Sequence, residues 1–105
     1  EDVCYFAHCF PYSYSDLSTF LTGICARPNA SEFVRMSTLC TTLTGNKVPL
    51  LTITNFKSSV NVIAARKAIC LTARVHPGET CASWAMQGLL DFLCGSTGRA
   101  KILRG

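Results

Sequence analysis

The residues best suited to chemistry are His76 and Glu79, in the run His76-Pro77-Gly78-Glu79. An imidazole and a carboxylate three residues apart are two donors that zinc accepts, at roughly 2.0–2.2 Å. A catalytic zinc keeps three protein ligands and leaves a fourth position to water, and two histidines with one glutamate form one such set. Pro77 stiffens the run, while Gly78 can adopt positive φ and has no side chain to crowd an ion. Spacing alone leaves two readings open: part of a metal site, or a surface polar pair. The other histidine, His8, stands in an apolar run and reads as a structural residue rather than a further ligand.

Two elements must hold that pair. Residues 67–75, Lys67 to Val75, predict a central β-strand, and Thr80 to Leu93 has helical period, with Ala85, Leu89, Phe92 and Leu93 sharing a face and Gly95 as its stop. The pair therefore falls beyond the carboxyl end of a strand, where ligands gather in open α/β sheets. Upstream, residues 3–10 predict a buried strand that Pro11 ends. Ser15 is the expected N-cap of a helix whose apolar face is Leu17, Phe20, Leu21 and Ile24, closed by Pro28-Asn29. Residues 33–43 and 49–54 predict two strands joined through Gly45-Asn46; residues 55–66 predict a loop, and Ala100–Leu103 a short helix. That order predicts an α/β domain with a mixed β-sheet flanked by helices.

Composition narrows the class. Of 105 residues, 49% are hydrophobic and 15% charged, enough apolar material for a core and too much for disorder. So low a charge also suits a piece of a larger domain whose buried faces lie uncovered. The missing initiator Met and the end at Arg104-Gly105 carry the same expectation. The net charge is +4, but the basic residues are scattered, the longest run being Arg66-Lys67, so no nucleic-acid partner is expected. No signal peptide or apolar run of about 20 residues occurs, so no membrane span is expected. The seven cysteines are odd in number, form no Cys-x-x-Cys pair, and several stand in apolar runs, as Cys70 and Cys94 do. They predict a reduced, intracellular protein in which cysteines, Cys81 included, pack as small hydrophobes.

The run Thr72-Ala73-Arg74-Val75-His76-Pro77-Gly78-Glu79-Thr80, followed by Ala82-Ser83-Trp84 and Met86-x-Gly88-x-Leu90-Asp91-Phe92-Leu93, closely resembles the cytosolic carboxypeptidases, which are carboxypeptidase A-like zinc exopeptidases. Two upstream blocks resemble the same family: Tyr5 to Leu17, and Leu39 to Asn46 leading into Leu50 to Thr54. The resemblance implies that residues 1–105 are the N-terminal portion of a zinc carboxypeptidase catalytic domain, with His76 and Glu79 as the first two zinc ligands. It implies a third ligand, a histidine, outside this chain, along with the substrate-carboxylate binders and the general-base glutamate, so no catalytic residue is assigned within it. Arg74 is expected to form a strand-end salt bridge, or to orient an acidic substrate. The family's reaction is hydrolysis of C-terminal peptide bonds, commonly removing glutamate from tubulin or other acidic tails, in the cytoplasm. Two alternatives belong to other classes: a truncated, catalytically inactive product acting through protein–protein contact, and a reduced cysteine-rich binding module.

Overall fold

Ser13 and Asp16 start the first helix, α1 (Tyr14–Cys25), in the computed structural model, which describes residues 2–105. The Ser13 hydroxyl accepts from the Asp16 amide at 3.1 Å, and the Asp16 carboxylate accepts from the Ser13 amide at 2.7 Å. This reciprocal box satisfies two backbone donors that a helix start would leave unpaired. The cap is thus Ser13 rather than Ser15, because the acid three residues on closes the box with Ser13. Leu21 and Ile24 are buried on the helix's inner face, and the helix ends at Cys25, before Pro28.

A 3-10 turn (Ala30–Glu32) leads into a hairpin of β1 (Val34–Thr41) and β2 (Lys47–Ile53). The strands pair antiparallel from Val34 with Ile53 to Thr41 with Lys47, and the register shifts between Thr38 and Cys40. Pro49 lies opposite Thr38 at that irregularity. Proline has no amide to give to a ladder, and bulges are where strands tolerate it. The turn is closed by the Thr42 amide on the Asn46 carbonyl at 2.8 Å, with Gly45 at φ 86°, a backbone setting that glycine adopts freely.

Three helices complete the chain: α2 (Val60–Ala64), α3 (Thr80–Leu93) and α4 (Gly98–Arg104). The short α2 falls within residues expected to be loop. Gly95 follows α3, and a Cβ there would stand 3.1 Å from both the Asp91 and Phe92 carbonyl oxygens, which explains the glycine. Ile24, Ala30, Val34 and Cys94 form the core, with Phe20, Phe33, Leu51, Ile53 and Leu90 packed against it. The inward face of α3 therefore runs through Leu90 and Cys94, not through Ala85, which is exposed, or Phe92, 39% exposed. Arg104 is buried as well. Its guanidinium donates to the Leu93 and Gly95 carbonyls and lies 4.4 Å from the Phe33 ring centroid.

The α/β class holds, but the sheet of the described residues is two-stranded and antiparallel rather than mixed. Residues 3–10 and 67–75, expected as buried strands, form no ladder. A strand is made only by a paired neighbour. β1 and β2 supply each other across a short turn, whereas no described strand lies against these two segments. Their apolar side chains stay in water: Phe6 is 99% and Ile69 84% exposed. The accessible surface is 8145 Å², against roughly 5,800 Å² for a folded monomer of this mass. The radius of gyration, 16.2 Å, likewise exceeds the roughly 13 Å of a compact domain this long. Of the seven cysteines, expected to pack as small hydrophobes, only Cys94 is buried; Cys70 and Cys81 are exposed, so packing does not account for them. Among the described residues no helix is long and apolar enough to cross a membrane.

Candidate metal centre

The His76–Glu79 turn sits between residues 67–75, which form no ladder, and the start of α3. The Glu79 amide donates to the His76 carbonyl at 3.1 Å, so the two residues close one tight turn. Glu79 is also the N-cap residue of α3, and its carbonyl accepts from the Ala82 amide at 3.0 Å. Its carboxylate makes no capping bond to the helix. Both side chains are exposed, and among the described residues neither is held by a hydrogen bond or an ion pair.

The turn's Pro77 carbonyl is bonded by Arg74. Its Nε and Nη2 donate to the Pro77 carbonyl at 3.2 and 3.1 Å, and its Nη1 donates to the Tyr12 carbonyl at 2.5 Å. Arg74 itself is left-handed, at φ 53°. For a residue with a Cβ this conformation costs roughly 1–2 kcal/mol, and the three side-chain bonds offset it. The expected strand-end salt bridge of Arg74 does not form: the ion pairs among the described residues are Arg27 with Asp91 and Lys57 with Glu32.

The stretch that Arg74 reaches is also pinned to α3. The Trp84 indole donates to the Phe10 carbonyl at 3.1 Å. Its ring meets Tyr12 nearly at right angles, centroids 4.7 Å apart, and Phe10 at 5.6 Å. Tyr12 is 5% exposed; burial, and then the nearby Asp16 carboxylate, push its hydroxyl pKa up. Residues 10–12 thus bridge the turn through Arg74 and the helix through Trp84. An open depression of about 330 Å³ lies beside them, lined by His8, Cys9, Tyr12, Arg74, Gly78 and Thr80. His8 is exposed on its rim, not enclosed in a strand as expected.

The donor chemistry of the pair suits zinc. Imidazole and carboxylate are both zinc ligands, and both are unencumbered on a pinned turn. Among the described residues no set of three His, Cys, Asp or Glu side chains gathers into a metal site. His76 and Glu79, expected as zinc ligands, fall on one turn, whereas the Arg74 and Trp84 contacts around it had no counterpart among the expectations. The aromatic content of Phe10-Pro11-Tyr12 was the one available signal.

The chain is 48% identical over 104 residues to cytosolic carboxypeptidase 2 of Xenopus tropicalis, covering 99% of this chain and 11% of that protein. It is 50% identical over 105 residues to cytosolic carboxypeptidase 3 of Mus musculus, covering 99% and 10%. It is 44% identical over 110 residues to cytosolic carboxypeptidase 1 of Xenopus laevis, covering 99% and 9%. The chain thus spans about a tenth of the length of these relatives. No solved structure matches it. The zinc carboxypeptidase profile matches residues 26–104, the His76–Glu79 turn included, and the chain belongs to that family.

Proposed function

We propose that this chain supplies the first two zinc ligands, His76 and Glu79, to the catalytic centre of a metallocarboxypeptidase that removes C-terminal residues from proteins or peptides. The carrying observation is an imidazole and a carboxylate on one closed turn, free of protein partners among the described residues, in a chain of the zinc carboxypeptidase family. Bound zinc would polarise the scissile carbonyl and lower the pKa of its water. Within this chain, His76 and Glu79 hold the ion, and α3 and the residue 10–12 stretch keep their turn in place. The third ligand, the general base and the substrate-carboxylate binders lie outside residues 1–105, which make up the N-terminal portion of the catalytic domain.

By the names of its relatives the setting is cytoplasmic. The substrate class we assign is acidic C-terminal tails, such as the glutamates of tubulin. The test measures zinc content and release of C-terminal glutamate in the longest natural polypeptide containing this sequence. His76→Ala and Glu79→Ala should each lose the metal and abolish release. Full zinc occupancy in both variants would refute the assignment.

One observation favours a second reading. The large exposed apolar surface of residues 3–10 and 67–75 suits a catalytically silent chain that binds a protein partner. Peptidase activity that depends on His76 and Glu79 would exclude it.

A further inference from the structure

We propose that Arg74 is the positioning residue of the metal turn, fixing His76 and Glu79 for the ion by clamping the Pro77 carbonyl and tying it to Tyr12. The inference rests on the reading of His76 and Glu79 as zinc ligands. Pro77 is the residue directly after His76, and its carbonyl is held by two of the three Arg74 nitrogens, at 3.2 and 3.1 Å. Any swing of the turn about residues 76–79 would have to break both bonds. The third nitrogen anchors the clamp to the Tyr12 carbonyl at 2.5 Å, and Tyr12 is buried against Trp84 of the helix that Glu79 begins. Arg74 therefore holds the segment carrying His76 against a stretch that also touches the helix following Glu79.

Three features separate this role from a generic surface arginine. The guanidinium is satisfied by carbonyl oxygens, and among the described residues it has no carboxylate partner. The backbone stands at φ 53°, which any β-carbon disfavours, so the side chain offsets a local cost. A fixed positive charge beside a dication also opposes binding on electrostatic grounds alone. The last point gives the proposal a sign. If Arg74 acts only by charge, its removal strengthens zinc binding; if it positions the ligands, its removal weakens it.

The test titrates the longest natural polypeptide containing this sequence with Zn²⁺ by calorimetry, with His76→Ala and Glu79→Ala defining binding at the turn. Arg74→Ala should weaken that binding about 10- to 100-fold, the usual loss when support behind a metal ligand is removed, with the urea midpoint unchanged. Arg74→Lys keeps the charge but lacks the planar fork and should not restore affinity. Arg74→Gly relieves the left-handed backbone and should bind as weakly as Arg74→Ala. Equal or tighter binding by Arg74→Ala overturns the proposal and leaves the ligand assignment standing. Zinc binding that ignores His76 and Glu79 overturns the ligand assignment instead. The clamp is then judged without metal by exchange of the Glu79 amide, which bonds the His76 carbonyl. Exchange at least tenfold faster in Arg74→Ala supports the clamp; equal rates overturn it.

Discussion

Trp84 offers the sharpest test of how the His76–Glu79 turn is supported. Trp84 is 37% exposed, so about two-thirds of the residue is covered, with Phe10 and Tyr12 against its ring. An aromatic side chain buries roughly 150–250 Å², so about 130 Å² is hidden here, equivalent to about 3 kcal/mol at about 25 cal/mol per Å². The indole bond to the Phe10 carbonyl adds only about 0.5 kcal/mol, the low end for a hydrogen bond, because Phe10 is 75% exposed and its carbonyl can return to water. Trp84→Ala should therefore loosen the residue 10–12 bridge by about 3 kcal/mol, and Trp84→Phe by less than about 1 kcal/mol. The core of Ile24, Ala30, Val34 and Cys94 does not include Trp84, so the loss should be local. Read by amide exchange at Glu79, 3 kcal/mol corresponds to about a hundredfold faster opening, with little change in the urea midpoint followed by circular dichroism. A Glu79 amide that exchanges at the wild-type rate while the midpoint drops would refute the reasoning, since Trp84 would then belong to the global core and not to the support of the turn.

Two further predictions concern stability. Ser13→Ala should cost about 1 kcal/mol by urea titration at neutral pH, and the deficit should shrink in acid. The Ser13 hydroxyl first, and its amide second, hold the Asp16 carboxyl below its usual range. The Asp16 contribution is therefore fully present above the unfolded value of about 3.9 and is lost as pH falls through the lower folded value. Arg104→Met should destabilise by about 3 kcal/mol in thermal melts, since it removes charged bonds to the Leu93 and Gly95 carbonyls and the cation over Phe33.

The elements legible in the sequence were those specified by neighbours in the chain. The periodic face of Leu17, Leu21 and Ile24, the Gly45 turn and the run from Thr80 to Leu93 each carry their own geometry, and each formed close to its expected bounds. The His76–Glu79 turn is local in the same sense, since the residues that close it are three apart. The strands at 3–10 and 67–75 failed because apolar character reports a need for burial but names no partner, and a ladder depends on a second segment. Arg74 was unreadable for a related reason: Tyr12, its third bond, lies 62 residues away. A cation near a strand end suggests a carboxylate, yet here three carbonyl bonds satisfied it. The cysteines misled in the same way, because Cys70 sits among apolar neighbours in sequence and in open water in space.

Pro49 has a consequence for fidelity of folding. Two strands joined by a flexible turn can mispair by sliding, and a slip of one place sends every inward side chain outward. Here the residue without an amide faces the one place in β1 where the ladder already skips a beat. Sliding would leave the skip itself without its match. The hairpin thus has a notch and a tooth that engage in one alignment, and Val34 and Ile53 arrive opposite each other beside the core because of it.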